Sequence, residues 1–413
     1  MDLRLGAPDN GRAGALVVLA VLLFSFVILS DGSFPPARSQ TVTATIPVGQ
    51  NPIGIAYDQG KGEVFVANYF QNTVSIISDA TNAVVAIVAV GSEPSEIAYD
   101  SAMGEVFVTD ANSSAVSVIS DSLNAVIATI PVGDEPAGVA YDAAKGEMFV
   151  ANSGDGTVSI ISDFDNQVVG TISVGTGPFA VAYDSAKGAI FVTNYSDNTT
   201  SVISDSGNFV VATIPVGHGP IGLAYDPARG EVFVADANDN TTTVISDSAN
   251  KVVATVPVSY SPIGMAYDPA VGEVFVANYY GTTVSVISDS TNKVVGSIDV
   301  GDSPAGVVYD PGRGEVFVTN SGDDTVSVIP DGSRSGTSTL SSVVVTTQST
   351  NDNSSTGTTS TSSSNDSSSL ASSSSSSVSS TYLGIVGINL VLSLMLYDLL
   401  AMRRRERSGR PHQ

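Results

Sequence analysis

Two side chains that could do acid-base chemistry interrupt an otherwise repetitive sequence. Glu96 stands where the other copies of a repeated unit have Gly or Ala, and a lone carboxylate could exchange a proton there. His218 lies in a Gly-His-Gly-Pro segment, and imidazole is a common general base and metal ligand. The only other His is His412 and Cys is absent, so a metal or Ser-His-Asp site would need distant carboxylates and hydroxyls. We therefore expect no catalysis that depends on His218.

Carboxylates also recur at a fixed spacing of 42 residues, each directly after a Tyr. They are Asp58, Asp100, Asp142, Asp184, Asp226, Asp268 and Asp310. A catalytic residue is needed once, so a column repeated seven times indicates turn hydrogen bonding and packing. A ring of carboxylates could bind Ca²⁺, which takes six to eight oxygen ligands, but the sequence does not show that these side chains converge. We expect no metal, no cofactor and no enzyme activity.

The composition narrows the classes of partner. Without Cys there is no disulfide framework, no thiolate nucleophile and no Cys-ligated metal. Residues 41–331 contain 34 Asp or Glu and 7 Lys or Arg, a net charge of −27. Phosphate binding requires clustered cations, so we expect no nucleic-acid partner.

The candidate residues are carried by seven copies of one 42-residue unit, which fill residues 41–331. Within the first unit, residues 52–91, four alternating apolar runs are separated by segments rich in Gly, Asn, Asp and Pro. This pattern predicts four short strands, which we name a, b, c and d. A period of about 40 to 45 residues with four strands is typical of a propeller blade, so we predict an all-β, seven-bladed propeller.

The ends of the repeat array predict a closed ring. No fourth strand follows strand c of the last unit, whereas residues 42–49 form a spare d-like strand before the first unit. Pairing that strand with the last blade would complete it and remove an open sheet edge.

The loops predict a binding surface. Alternating strand directions place the a–b and c–d turns on one face and the b–c and d–a loops on the other. The turns are near copies, whereas the loops diverge, and repeat proteins bind ligands through divergent loops. The ligand-binding candidates, expected to be exposed, are Tyr69, Phe70, Tyr195, His218, Tyr260, Tyr279 and Tyr280. Strand a is the innermost strand, so Glu96 is a candidate for the central channel.

Outside the repeats, the sequence predicts a membrane protein. Residues 1–39 combine an apolar stretch with preceding Arg and read as a signal peptide or signal anchor. Residues 332–381 form a Ser/Thr-rich stalk, residues 382–402 a transmembrane helix, and residues 403–413 a basic cytoplasmic tail. We expect a single-pass protein of the cell membrane with its propeller outside.

Six Asn residues stand two positions before Ser or Thr without an intervening Pro, which is the acceptor pattern for N-glycosylation. They are Asn112, Asn194, Asn198, Asn240, Asn353 and Asn365. The four in the propeller fall in predicted b–c loops, where a glycan would stay solvated.

Residues 315–320, Glu-Val-Phe-Val-Thr-Asn, and residues 208–217, Asn-Phe-Val-Val-Ala-Thr-Ile-Pro-Val-Gly, resemble the YVTN-type propeller repeat of surface-layer-like proteins. The resemblance covers all seven units. This chain has Phe where the family name has Tyr, and it ends the tetrapeptide in Asp110 and Asp236 in two units. The resemblance implies a propeller exposed at the cell surface, although such folds also carry unrelated enzymes.

Three functions follow as hypotheses. The first is a binding or adhesion module whose partner is a cell-envelope glycan, another envelope component or a protein. The second is an extracytoplasmic enzyme, similar to propeller lactonases, lyases or quinoproteins, that uses the channel mouth. The third is a tile of a surface layer, which would self-assemble into a lattice; the oligomeric state stays open.

Overall fold

The computed structural model describes residues 40–332, which form seven four-stranded antiparallel sheets. The all-β, seven-bladed propeller is therefore confirmed. The predicted signal segment, the transmembrane helix and the tail lie outside the described residues, as does the stalk beyond residue 332. Between residues 40 and 332, no helix is long and apolar enough to cross a membrane.

Each blade follows the predicted order a, b, c, d from the inside to the outside of the ring. The strands are β1 Ala44–Pro47, β2 Pro52–Asp58, β3 Glu63–Asn68, β4 Thr73–Ser78, β5 Ala83–Ala89, β6 Pro94–Asp100, β7 Glu105–Asp110, β8 Ala115–Ser120, β9 Ala125–Pro131, β10 Pro136–Asp142, β11 Glu147–Asn152, β12 Thr157–Ser162, β13 Gln167–Ser173, β14 Pro178–Asp184, β15 Ala189–Asn194, β16 Thr199–Ser204, β17 Phe209–Pro215, β18 Pro220–Asp226, β19 Glu231–Asp236, β20 Thr241–Ser246, β21 Lys251–Pro257, β22 Pro262–Asp268, β23 Glu273–Asn278, β24 Thr283–Ser288, β25 Lys293–Asp299, β26 Pro304–Asp310, β27 Glu315–Asn320 and β28 Thr325–Pro330. A short 3-10 turn, Ala111–Ser113, follows β7.

The core lies between neighbouring blades. Strands b and c are buried along nearly their whole length, as in β3 and β4, whereas strand d alternates between exposed and covered positions, as in β5. The Val and Ile residues of strands b and c suit a pleated surface that is covered on both sides. Phe65 of blade 1 is fully buried and packs with Ile97 and Val106 of blade 2, so each blade is held through its neighbour.

The N-terminal strand closes the ring. β1 pairs antiparallel with β28, with Ala44 opposite Val328 and Ile46 opposite Val326, and completes blade 7 in the order β26, β27, β28, β1. Ile46 is only 2 % exposed. The prediction that the spare N-terminal strand supplies the missing strand d is confirmed.

Hydrogen bonds with repeated side chains stabilise the a–b and c–d turns. These turns together form one side of the ring, which we call the turn face. In blade 1, Asp58 Oδ1 accepts hydrogen bonds from the backbone N–H groups of Gly60 and Lys61 at 2.7 and 3.2 Å, so the predicted Asx turn is confirmed. Tyr57 Oη donates to Asp79 Oδ2 at 2.9 Å. Burial, Asp310 of the preceding blade and Asp79 together raise the pKa of Tyr57. The Tyr-Asp column therefore links neighbouring blades.

A glycine in the same turn is required by both its backbone and its surroundings. Gly62 has φ +67°, a conformation that other residues adopt with strain. A Cβ at this position would lie 2.6 Å from Asp79 Oδ1. The recurring Tyr-Asp-x-x-x-Gly sequence thus encodes one packed unit of turn and carboxylate.

The opposite side of the ring, the loop face, consists of the b–c and d–a loops, which are residues 69–72 and 48–51 in blade 1 and their equivalents in the other blades. There the N–H of Tyr69 donates to the carbonyl of Asn51 at 3.0 Å, and that of Phe70 to Gln50 at 3.3 Å. The N–H of Asp79 instead donates to Gly62 on the turn face. The predicted sorting of turns and loops onto two faces is confirmed.

Candidate functional site

Four of the seven ligand-binding candidates lie on a continuous surface over blades 4, 5 and 6. Tyr195 Oη accepts a hydrogen bond from Asn238 Nδ2 at 3.4 Å, and the backbone N–H of Asn238 donates to the carbonyl of His218 at 3.1 Å. The N–H of Tyr280 donates to the carbonyl of Tyr260 at 3.4 Å. The hydroxyl of Tyr195 is near enough to contribute to the raised pKa of Tyr280, after burial. We call Tyr195, His218, Tyr260 and Tyr280 the aromatic patch.

A small residue of blade 5, Gly219, lies against Tyr195 of this patch. At the positions equivalent to Tyr195 and to its d–a loop neighbour, blade 5 has Ala237 and Gly219. A Cβ on Gly219, which has φ +62°, would lie 2.4 Å from Asn238 Nδ2 and 3.0 Å from the ring of Tyr195. Glycine at this position therefore lets the Tyr195 ring pack closely over the loop.

Exposure separates the aromatic candidates. Tyr260 is 68 % exposed, and Tyr280 and Phe70 are each 52 % exposed, whereas Tyr69 and Tyr195 are half-buried. Rings this exposed add little to the core and present apolar surface to solvent.

Tyr279 was predicted to be an exposed binding residue, but its side chain is only 5 % exposed. Its ring packs edge-to-face with Tyr280 at a centroid distance of 5.4 Å, and its hydroxyl lies by Ser321 of blade 7. The expectation that Tyr279 would be exposed is wrong. Adjacent residues in this loop point in different directions, so Tyr279 supports Tyr280 from below rather than offering a surface of its own.

Tyr69 and Phe70 form a separate pair on blade 1. Their rings meet edge-to-face with centroids 5.3 Å apart. Tyr69 Oη donates to Glu93 Oε2 at 2.8 Å, and burial together with Glu93 raises the pKa of Tyr69. Phe70 is thus held on a well-anchored neighbour but is not part of the aromatic patch.

His218 has a carboxylate partner that the sequence did not reveal. Its Nδ1 lies 2.9 Å from Asp239 Oδ1, and its backbone N–H donates to Asp239 Oδ2 at 2.8 Å. The backbone N–H and the ring of His218 lower the pKa of Asp239 despite its slight desolvation. The His218 side chain is 70 % exposed, so the pair stands in solvent rather than in a protected site.

Glu96 lies on β6, the innermost strand of blade 2, and faces β2 of blade 1. Its equivalent in blade 1 is Gly54, where a Cβ would lie 2.4 Å from the carbonyl of Ser95. The Glu96 carboxyl group accepts hydrogen bonds from the backbone of Ile97 and of Ile55 in blade 1. Desolvation outweighs these bonds and raises the pKa of Glu96 from 4.5 to about 7. No contact joins Glu96 to His218 among the described residues, so no acid-base pair is formed.

Glu96→Gln should therefore change how stability depends on pH. A carboxyl group whose pKa is raised on folding loses stability as pH rises from its unfolded pKa through its folded pKa, here from 4.5 to about 7. We expect Glu96→Gln to match the wild type at about pH 4 and to be more stable by ~3 kcal/mol at about pH 8, from the size of the shift. Urea unfolding at both pH values measures this; parallel pH profiles for the two proteins would contradict it.

Asp110 and Asp236 replace an Asn that closes strand b in the other five units. Asn68 donates from Nδ2 to Thr73 Oγ1 and Ser75 Oγ at 3.0 and 2.9 Å. Asp236 instead accepts from Thr243 Oγ1 at 2.7 Å, so the direction of the bond is reversed. Desolvation raises the pKa of both Asp110 and Asp236 to about 6. These carboxylates are buried packing residues.

The glycosylation candidates differ in accessibility. Asn194 is fully buried, and its Nδ2 donates to Thr199 Oγ1 and Ser201 Oγ, so the prediction of a solvated glycan there is wrong. Asn112 is exposed, and Asn198 and Asn240 are half-buried in b–c loops. Asn353 and Asn365 lie outside the described residues.

Neither a metal centre nor a deep pocket coincides with the candidates. Within residues 40–332, no group of three or more His, Cys, Asp or Glu side chains is arranged to hold a metal ion. A groove of about 470 Å³ runs beside β1, lined by residues such as Thr45, Asp299 and Asp323, and none of the predicted site residues borders it. The aromatic patch lies on the exposed surface of the loop face, where Tyr260 and Tyr280 are 68 % and 52 % exposed.

Comparisons with known proteins support the fold and leave the family open. No protein-family model matches the sequence, and no curated protein matches it. Among solved structures, a chain of Kuenenia stuttgartiensis hydrazine synthase is similar with a TM-score of 0.63 and 20 % identity, over 68 % of this chain and 95 % of that chain. At this identity the likeness shows the propeller fold alone, and the YVTN-type repeat stays a resemblance.

Proposed function

We propose that this chain is a cell-surface binding module that contacts its ligand through the loop face. The observation that carries the proposal is the exposure of large rings, Phe70, Tyr260 and Tyr280, on loops that differ between otherwise repetitive units. Exposed aromatic side chains contribute little to folding but are frequent hot spots of binding. The ligand is an envelope glycan or a protein.

The proposed location of the protein at the cell surface is inferred from the sequence pattern. A signal-like segment precedes the propeller, and an apolar segment at residues 382–402 followed by arginines anchors it. The chain leaves the propeller on the turn face, where the N–H of Asp331 donates to the carbonyl of Gly314. The loop face lies on the opposite side of the propeller from this point.

The enzymatic alternative has less support. It would use Glu96, whose pKa is raised to about 7, at the channel. General acid-base catalysis usually needs a second positioned group, and Glu96 is bonded to backbone N–H groups. The surface-layer alternative predicts self-assembly of the purified chain, which sedimentation would detect.

Truncating the exposed rings should weaken binding without unfolding the protein. We expect Tyr260→Ala/Tyr280→Ala to reduce retention of the full chain on cell-envelope preparations, because each hot-spot ring typically contributes about 1 to 3 kcal/mol. Retention of the labelled chain on immobilised envelope glycans and envelope proteins measures the effect.

A matched control is Leu123→Ala/Phe164→Ala on the turn face, where these side chains are 69 % and 86 % exposed. This control should bind as the wild type does. The proposal fails if both double variants bind equally, or if Tyr260→Ala/Tyr280→Ala lowers the melting temperature and leaves binding intact.

A further inference from the structure

Lys and Arg side chains are absent from the loop face among the described residues. Every Lys and Arg between residues 40 and 332 lies on the turn face, either in an a–b turn or at the first residue of a strand d. They are Lys61, Lys145, Lys187, Arg229, Lys251, Lys293 and Arg313. The propeller, with a net charge of −27 over residues 41–331, thus keeps all its cations on one side.

Exposed carboxylates recur on the loop face at one position of the b–c loops. Each accepts a hydrogen bond from a backbone N–H of the adjacent d–a loop, at distances between 2.6 and 3.0 Å. They are Asp155, Asp197, Asp239 and Asp323. In blade 2, Ser113 Oγ accepts the equivalent bond from the N–H of Ser92 at 2.8 Å. Because a neutral hydroxyl makes this bond, the four negative charges exceed what the loops need.

The aromatic patch lies among these carboxylates. His218 is bonded to Asp239, and Asp197 belongs to the same b–c loop as Tyr195. The faces of Tyr rings attract ammonium and guanidinium groups, most strongly next to carboxylates that hold the same cation. Tyr260 and Tyr280 have the exposure that such stacking requires.

We propose that the partner of the loop face is a polypeptide segment rich in Lys or Arg. The inference rests on the proposed function and names the chemistry of its ligand. A surface with carboxylates, exposed rings and no Lys or Arg attracts a basic segment at long range and repels acidic glycans and acidic proteins. Aromatic contacts then fix the segment at short range.

The test uses the full chain in detergent and a short fluorescent peptide of alternating Lys and Gly. A peptide of alternating Glu and Gly, which carries the opposite charge, is the negative control. Fluorescence anisotropy should show binding of the Lys peptide alone, weakening as salt is raised, because exposed charges are screened. The variant Asp155→Asn/Asp197→Asn/Asp239→Asn/Asp323→Asn keeps an acceptor oxygen in each loop and removes four charges. We expect it to bind the Lys peptide roughly tenfold more weakly.

The control makes the same change in net charge on the turn face. Ser122→Lys/Ser206→Lys/Ser248→Lys/Ser290→Lys adds four positive charges at exposed c–d turn positions. We expect it to bind the peptide within about twofold of the wild type, because the added charges lie beyond the screening length from the loops. If the fourfold Asn variant does not fold, Asp155→Asn/Asp323→Asn replaces it, with an expected loss of roughly threefold.

The outcomes of these measurements decide the inference. Binding of the Glu peptide, no binding of the Lys peptide, or equal losses in the two charge variants would each overturn it. The expected loss confined to the Asn variant supports it. Envelope ligands that depend on Tyr260 and Tyr280 while the Lys peptide does not bind would leave the proposed function standing and this inference wrong. If the Lys peptide binds through the carboxylates and Tyr260→Ala/Tyr280→Ala binds it normally, the basic partner stands, whereas the aromatic contacts assigned to it and to the proposed function are wrong.

Discussion

Removing residues 40–48 from the full chain is expected to abolish cooperative folding and to produce aggregates. These residues contain β1, which supplies the outer strand of blade 7. Without it, β28 becomes an open edge and the fully buried Val326 and Val328 lose their cover. Because every blade packs on both neighbours, an opened ring weakens blade 7 and its two interfaces together. Light scattering and the thermal transition of the deletion variant measure the loss.

Two point variants in β1 test the same role of this strand without removing it. Ile46→Asp places a charge at a position that is 2 % exposed, and the expected cost is more than about 4 kcal/mol. Thr45→Asp puts the same charge on the exposed neighbour, where it should change stability by less than about 0.5 kcal/mol. Equal melting temperatures for Ile46→Asp and the wild type would show that β1 does not hold the ring together.

The fold could be predicted because the seven repeats can be compared with one another, as homologous sequences are in an alignment. Tyr57 and its equivalents at steps of 42 residues fix the register of every blade, and the apolar runs between them leave little choice of strand. Ring closure followed from counting strands at the two ends, since a blade lacking strand d has only one spare strand to use. The two faces followed from strand direction alone.

The loops were less predictable, because their side chains follow no period. Tyr279 and Tyr280 are neighbours of one residue type, yet one is 5 % and the other 52 % exposed. The difference depends on which ring meets Ser321 of the next blade, and that contact joins residues 42 apart. Asn194 shows the same limit: its acceptor pattern is local, whereas its burial is set by the d–a loop and by β16.

The partner of His218 could have been found from the repeat. Asp239 lies 21 residues after His218, and the same offset separates Asp302 from Asp323, whose backbone N–H and carboxylate are also bonded. This recurring spacing marks the contact between a d–a loop and the b–c loop of its blade. Only the additional bond of the imidazole ring depends on the identity of residue 218.

Phe65→Ala should destabilise the propeller by about 3 to 5 kcal/mol, because it removes a large buried ring and leaves a cavity. Phe65 is fully buried and packs with Ala67, Val74 and Ile76 of its own blade and with Ile97 of blade 2. These neighbours belong to regular strands fixed by hydrogen bonds on both sides, so they cannot collapse into the space. Guanidinium unfolding of the full chain, followed by circular dichroism, measures the change.

The control variant is Phe164→Ala, which removes the same side chain where it is 86 % exposed in a c–d turn. Its expected effect on stability is within about 0.5 kcal/mol, since the Phe164 ring is already exposed to water in the folded protein and contributes little to folding. The contrast between the two variants separates burial from residue type. If Phe65→Ala and Phe164→Ala unfold at the same denaturant concentration, the Phe column is not the core of the ring. A loss near the upper end of the range for Phe65→Ala, with no change in slope, would mean that the blade interface stays rigid around the cavity.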